Sequence, residues 1–361
     1  MSDYTYIRDI NKNIFECSVS LEGALKRYIL NGCEDSAEIK VDVGKNDKNS
    51  KQDDKCNSVA DFCSENTIEI DTLKEKFLQL ICVRDNDQQR ADYQINIKSH
   101  SSKRENNTNS STILLCSHTL GEREYITNER INIEVGKGES LELIVMQNEN
   151  GFSEHNTFFN IELKEDSWFK LNIITVYGGR VNNKISTLLT ERGSTCELNG
   201  LYLGSNEQII NTDINLIHRV GGCVSNQLFK GILGDSAKAD FKGEVVVEKD
   251  AQKTEAYQAN NNLLISDQAK AVSKPELIIY ADDVKCSHGS TVGTIGNEEL
   301  FYMRSRGISL QEAKILQQQA FAGAVLEKIG KEELRNRLSQ LIERRLRGEA
   351  THCQGCSRRC C

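Results

Sequence analysis

The chain has 361 residues, of which 38% are hydrophobic and 27% are charged, so we expect a soluble globular protein with a sizeable apolar core. Its net charge of −8 argues against nucleic acid as a main partner. The first residues, MSDYTYIRDINKNIFEC, lack the apolar centre of a signal peptide, and apolar runs such as residues 143–146 are too short to span a bilayer. The expected location is therefore the cytoplasm, where the thirteen cysteines would be free thiols.

Residues 1–112 have a mixed pattern that predicts a small N-terminal region with polar loops. Residues 21–30 are apolar enough for a short helix, which Asn31 and Gly32 would end. Residues 44–66 and 98–112 are polar and charged, and we expect loops or linkers there.

Residues 113–300 have the pattern of a β domain, because short runs rich in β-branched residues alternate apolar with polar positions. The segment at residues 235–247 recurs 32 residues later, at 267–279, and a looser copy lies at 193–203. A repeated turn and strand that cannot bury its own face alone predicts the stacked coils of a β-solenoid. A β-sandwich with a chance similarity is the alternative.

Residues 301–348 predict a C-terminal helical domain. Ser309 and Glu312 have the spacing of a capping box, in which the serine accepts from the Glu312 amide and the glutamate reaches back. Apolar residues then recur at helical spacing on both sides of Gly330, which predicts two helices. The two stripes are Leu310, Ala313, Leu316, Ala320, Ala324 and Val325, and then Leu334, Leu338, Leu341 and Leu346.

A candidate site lies at Cys286 and His288. If this segment is extended, both side chains point to one face, because side chains alternate along a strand. A thiolate beside an imidazole suits zinc, ferrous iron or an iron–sulfur species, and it also suits a Cys–His nucleophile pair. Two donors do not complete a tetrahedral site, so a metal would need ligands from elsewhere. The alternative is that Cys286 is a buried packing residue and His288 is a structural histidine.

The cysteine-rich tail at residues 349–361 is a second candidate, which would make the chain a metal-binding interaction protein. Its Cys-x-x-Cys spacing fits zinc, and a flexible tail carrying thiols is the alternative. The tail's candidate metal ligands are Cys353, Cys356 and Cys360. Cysteines elsewhere, such as Cys196 and Cys223, lack ligand spacing and indicate packing.

Other catalytic patterns are weak. The sequence has no Gly-x-x-x-x-Gly-Lys-Ser/Thr loop, so we expect no ATP hydrolysis by the chain itself. Asp282 and Asp283 would be the acids of a β-helical enzyme acting on polysaccharides, which is an alternative function. Adjacent residues in a strand face opposite ways, however, so they make a poor carboxylate pair.

The run at residues 274–307, KPELIIYADDVKCSHGSTVGTIGNEELFYMRSRG, resembles the signature of the SufB/SufD family of iron–sulfur cluster assembly proteins. Residues 227–233, QLFKGIL, and 262–266, NLLIS, fit the same family. The pattern His-Gly-x-Thr-Val-Gly at 288–293 is more similar to the SufD branch than to the SufB branch. The resemblance implies a mainly β fold, with a right-handed parallel β-helix (β-solenoid) core, a small N-terminal region and a C-terminal α-helical domain.

The resemblance also implies a scaffold rather than an enzyme. A SufD-like chain would pair with SufB, or with itself, through the ends of the β-helix, and would bind the SufC ATPase through its C-terminal helices. An iron–sulfur cluster would be held transiently and shared with the partner, with no tightly bound cofactor. His288 would be the cluster-related ligand, with Cys286 beside it. The surface facing SufC would contain Tyr302, Arg304, Arg306 and Gly307.

Overall fold

The computed structural model describes residues 24–30, 33–34, 66–72, 77–84, 89–99 and 110–349. From β3 onward in this part of the chain, successive strands alternate between two sheets. The strands of the first sheet are, from one edge to the other, β2 (Cys33–Glu34), β1 (Leu25–Leu30), β4 (Phe77–Arg84), β6 (Ser110–Thr119), β8 (Ser140–Asn148), β10 (Trp168–Tyr177), β12 (Thr195–Gly204), β14 (Val224–Leu233), β16 (Glu255–Leu264) and β18 (Lys285–Thr294). Those of the second sheet are β3 (Thr67–Asp71), β5 (Arg90–Ser99), β7 (Ile126–Val135), β9 (Glu154–Leu163), β11 (Arg180–Leu189), β13 (Ile209–His218), β15 (Lys238–Val247) and β17 (Lys270–Ile279).

The two sheets form a β-solenoid of about seven turns. Neighbouring strands are parallel, except that β2 is antiparallel to β1. The two copies of the sequence repeat stack in register, from Lys238 opposite Lys270 to Val247 opposite Ile279. One repeat is therefore one coil, and the predicted solenoid is confirmed over the sandwich. The looser copy at 193–203 falls in β12, which belongs to the other sheet.

The core lies between the sheets. Strands of the second sheet alternate strictly, as in β7, where Ile131, Ile133 and Val135 point inward and polar neighbours point out. Strands β6, β8 and β10 of the first sheet are buried on both faces. The reason is that the C-terminal helices cover the outer face of this sheet, so that a second apolar core forms there.

Three helices follow the solenoid: α1 (Asn297–Ser305), α2 (Leu310–Leu326) and α3 (Glu332–Leu346). The predicted α3 stripe is correct at Leu334 and Leu338, which are fully buried against the first sheet. The predicted α2 stripe is wrong at Leu310 and Leu316, which are 44% and 36% exposed. Among the described residues, no helix is long and apolar enough to cross a membrane.

Polar contacts fix the helices to the solenoid and to each other. Ser309 Oγ accepts a hydrogen bond from the Glu312 amide at 3.2 Å, as the capping box predicts. The Glu312 carboxylate, however, pairs with Arg347 through two hydrogen bonds of 2.9 Å, so it joins the start of α2 to the end of α3. Arg345 lies over the Tyr177 ring at 4.5 Å and donates to the Val176 carbonyl at 3.2 Å. The arginine therefore anchors α3 on the solenoid.

The solenoid extends further toward the N-terminus than the strand pattern indicates. Strands β3, β4 and β5 continue the two sheets ahead of residue 113. The helix predicted at residues 21–30 is wrong, because residues 25–30 form β1 and pair with β4 in parallel. Pairing with an existing sheet edge outweighs a local helical preference.

A buried network of charged groups lies in the coils formed by β4 to β9. His155 Nδ1 lies 2.8 Å from Glu149 Oε1 and its Nε2 lies 3.5 Å from Glu129 Oε2, and all three side chains are at most 2% exposed. Burial alone would lower the pKa of His155, but the two carboxylates outweigh it and raise that pKa to about 10. Burial would likewise raise the pKa of Glu149, but His155 and Arg84 hold it below its usual value. The histidine is therefore an imidazolium held between two carboxylates.

Candidate functional site

The last coil of the solenoid is formed by β17 and β18, which are the edge strands of the two sheets. Side chains that stack inward in earlier coils are partly exposed here, because no further coil within the described residues covers them. Leu277 and Val284 are only partly buried, although they pack against the interior core. Val292 and Tyr280 are 47% and 64% exposed. The apolar core therefore ends in an open face.

Cys286 and His288 lie on β18 within this open face. Cys286 pairs in register with Ala256 of β16, and His288 pairs with Gln258. Ala256 and Gln258 are both buried inside the solenoid, so the two predicted residues follow columns of inward-facing side chains. Cys286 is half-buried and His288 is exposed. The strand therefore brings a thiol and an imidazole to the open end of the core.

These two donors do not make a complete metal site on their own. Burial raises the pKa of the Cys286 thiol, so at neutral pH it is protonated in the isolated chain and is a weak ligand. Across the ranges that the structure describes, no three His, Cys, Asp or Glu side chains are placed to hold a metal ion together. Further donors, or a neighbouring positive charge, would have to come from outside these residues. The role of the pair stays a prediction.

Asp282 and Asp283 lie in the corner between β17 and β18. Asp283 forms an ion pair with Lys253, and its backbone amide donates to Gln252 Oε1 at 2.9 Å. Its carboxylate therefore serves the packing of one corner on the next. Nothing in this arrangement resembles a pair of catalytic acids.

The residues predicted to face SufC lie around the end of α1. Tyr302 is 60% exposed, and Arg306 lies over its ring at 5.1 Å while donating to its hydroxyl at 3.0 Å. Gly307 has a φ of 87°, which favours glycine and lets the chain turn into α2. A shallow groove of about 510 Å³ follows this turn, lined by Phe301, Arg304, Ser305, Gly307, Ile308, Ser309 and Leu310. Phe301 is 75% exposed, although nothing in the residue pattern predicts this.

The remaining cysteine predictions have different outcomes. Cys196 and Cys223 are fully buried, as expected for packing. Cys82, Cys116, Cys196, Cys223 and Cys286 are free thiols. The candidate tail ligands, Cys353, Cys356 and Cys360, lie outside the described residues.

Polar side chains fill the interior next to the open end, which was not predicted. Gln258, Asn260 and Asn262 of β16 all point inward and are at most 3% exposed. Asn262 Nδ2 donates to Asn260 Oδ1 at 2.8 Å, and Asn260 Nδ2 donates to the Tyr202 hydroxyl at 3.1 Å. The signal was present in the sequence QANNN, which has an amide at every second position of a strand.

Comparison with known proteins places the chain in a family. A family model described as "SUF system FeS cluster assembly, SufBD core domain" matches residues 88–321, more than half of the chain. The iron–sulfur cluster assembly protein SufD of Escherichia coli K12 is 37% identical over 232 residues, which cover 64% of this chain and 55% of that protein. A SufBD family protein of Synechocystis is 33% identical over 229 residues, covering 63% and 50%.

A third relative is the chloroplastic protein ABCI7 of Arabidopsis thaliana, which is 32% identical over 215 residues, covering 59% of this chain and 45% of the relative. The chain thus spans about half the length of these curated relatives. The matched region contains the solenoid from β5 to β18, all of α1 and most of α2. The chain belongs to the SufBD family of iron–sulfur cluster assembly proteins.

Proposed function

We propose that this chain is a SufD-like scaffold subunit of the SUF assembly complex, which pairs with a SufB-like chain and binds a SufC-like ATPase. The observation that carries the proposal is the open last coil, where an incomplete pair of ligands lies at the end of an uncovered core. A partner seated on this face would bury the apolar side chains and supply the missing donors. The iron–sulfur cluster is then the cargo of the complex, held for a time between two chains.

The open coil has the chemistry of an interface. Val272, Ile279 and Val292 are each between 41% and 47% exposed, and they lie on two strands whose outer edges lack a neighbour among the described residues. An edge strand with exposed apolar side chains favours pairing with another chain. A self-paired dimer would use the same face as a SufB-like partner.

The second proposed interface is the surface of α1 and the turn into α2. Phe301, Tyr302, Leu310 and Leu316 are exposed there beside Arg304 and Arg306. Aromatic and arginine side chains are enriched at the centres of protein interfaces. An ATPase on this surface would supply the nucleotide chemistry for which this sequence has no phosphate-binding loop. A role as a scaffold, without catalysis of its own, follows from this division of labour.

Co-expression with a SufB-like chain and a SufC-like ATPase tests both interfaces. Val292→Glu puts a charge into the open coil and is expected to abolish capture of the SufB-like chain while retaining the ATPase. Tyr302→Ala is expected to weaken capture of the ATPase alone. Phe152→Glu is the control, because Phe152 is 60% exposed on a corner between β8 and β9, away from both surfaces. The proposal is refuted if the wild-type chain captures neither protein.

The cluster-related role of His288 has its own test. His288→Ala is expected to lower the iron and acid-labile sulfide bound per complex, since a ligand is removed while the exposed position tolerates the change. Ser287→Ala is the matched control, because Ser287 lies on the opposite face of β18. Equal iron and sulfide in both variants would contradict the assignment.

A further inference from the structure

One column of inward-facing side chains changes character as it approaches the open end. It runs in register from Leu171 to Leu198, Gln227, Gln258 and finally His288. The first two members are apolar and fully buried, whereas the next two are amides that are each 3% exposed. Burying an amide is unfavourable unless both of its polar ends are hydrogen-bonded. The change from leucine to glutamine therefore needs a reason near His288.

The two glutamines form a short ladder. Gln258 Nε2 donates to Gln227 Oε1 at 2.8 Å, which fixes the direction of the Gln258 amide. Gly243 on the facing wall makes room for it, because a Cβ at that position would lie 2.0 Å from Gln258 Nε2. The Gln258 amide therefore reaches across the interior to the facing wall, and its nitrogen is hydrogen-bonded to the preceding coil through Gln227.

The other end of the same amide has no partner. Gln258 Oε1 is buried and accepts no hydrogen bond from the described residues. Leaving a buried acceptor unsatisfied destabilises the folded chain. The nitrogen is bonded on the β14 side, which leaves the oxygen available to the β18 side, where the next residue of the column is His288. A ring N–H is a donor of the kind that this oxygen lacks.

We propose that Gln258 is a positioning residue for His288: its Oε1 accepts a hydrogen bond from one ring N–H of His288 when the partner covers the open coil. The inference rests on the proposed role of His288. The bond would hold the ring over the core and fix its tautomer, so that the other ring nitrogen presents its lone pair to iron or to the cluster. Partners of this kind are worth about 10–100-fold in metal affinity or activity.

The test measures iron and acid-labile sulfide retained by the complex of this chain with a SufB-like chain and a SufC-like ATPase. Gln258→Met keeps the length of the side chain and removes the acceptor, so retention is expected to fall about 10-fold. Gln258→Glu restores an acceptor and is expected to recover most of the iron and sulfide retention. Gln227→Met is the matched control, because it breaks the same ladder one coil away from His288.

A double variant separates positioning from a general structural effect. If Gln258 acts through His288, the double variant retains as much iron and sulfide as His288→Ala alone. The proposal is overturned if the double variant shows the product of the two single losses. Loss in His288→Ala with wild-type retention in Gln258→Met refutes the positioning role and leaves the proposed function intact. Wild-type retention in His288→Ala refutes both. Should Gln258→Met fail to fold, Gln258→Glu decides, since loss to the His288→Ala level would refute the proposal.

Discussion

Replacing His155 by leucine removes the positive charge from a network whose other members stay buried. Glu129 and Glu149 are 0% and 2% exposed, so neither carboxylate can reach water in the folded state. Removing one partner of a buried ion pair costs about 3–5 kcal/mol, because a charge is left uncompensated. We expect a loss of this size in the free energy of unfolding at pH 7, which is a large share of the stability of a typical domain.

The sign of the pH dependence distinguishes this mechanism from lost packing. The folded pKa of His155 is about 10, above the unfolded value of 6.5, so its stabilisation is fully present below pH 6.5 and is lost as the pH rises toward 10. Glu149 has a lowered folded pKa and therefore stabilises the wild type above its unfolded value of 4.5. In His155→Leu, burial without the imidazolium raises the pKa of Glu149, so the variant gains stability as the pH falls toward 5.

Urea unfolding between pH 5 and 8 measures both effects. Ile131→Val is the control: Ile131 is fully buried and carries no titratable group, so its truncation removes packing but no charge. The difference between wild type and His155→Leu is expected to narrow from pH 6.5 to pH 5, because the stabilisation by His155 is already complete there while the variant still gains stability. The difference between wild type and Ile131→Val is expected to stay constant. A loss below about 1 kcal/mol for His155→Leu that does not vary with pH would refute the reasoning.

Two further predictions concern packing. Arg345→Met removes the ring contact and the hydrogen bonds that hold α3 on the solenoid, so it is expected to lower the free energy of unfolding by about 2 kcal/mol and to expose α3 to protease. The control Arg337→Met breaks an exposed ion pair with Glu333 and is expected to lower it by under about 0.5 kcal/mol. Similar protease resistance in both variants would contradict the anchoring role. Gly200→Ala would place a Cβ 2.3 Å from the Phe229 ring inside the solenoid and is expected to lower stability by about 1–3 kcal/mol in thermal unfolding; an unchanged melting temperature would show that the ring moves freely.

Much of the architecture can be predicted from the sequence, because each coil of a solenoid pairs only with the coils next to it along the chain. The repeat at residues 235–247 and 267–279 predicts two strands, and the structure shows that they are neighbours in one sheet. Leu334 and Leu338 could be placed on a buried face because one covering sheet lies on one side of α3. Leu310 and Leu316 have the same periodicity but lie on a face that α2 leaves exposed, and periodicity alone does not distinguish a core from an interface.

The site was harder to predict than the fold, because coil lengths vary. The offset between paired residues is 26 from Glu154 to Arg180 but 32 from Lys238 to Lys270, so register between coils cannot be counted along the chain. Period-two alternation was enough to put Cys286 and His288 on one face. It could not reveal that Gln258 lies beneath His288, because that neighbour is 30 residues away in sequence and is set by the pairing of β16 with β18.

The two ends of the first sheet differ, and this limits how chains can join. At one end β18 offers a parallel edge, whereas at the other end the last described strand is the two-residue β2, which is antiparallel to its neighbour. Head-to-tail growth into a fibre requires each chain to extend the sheet of the next, and β2 reverses the direction that such growth needs.

The second sheet adds a further obstacle to fibre growth, because Pro275, the single proline of the chain, lies in its edge strand β17. The ladder to β15 continues across Pro275, so the N–H that proline lacks is one that a further strand would have used. Strand pairing at the open end would therefore rely on the edge of β18 more than on that of β17.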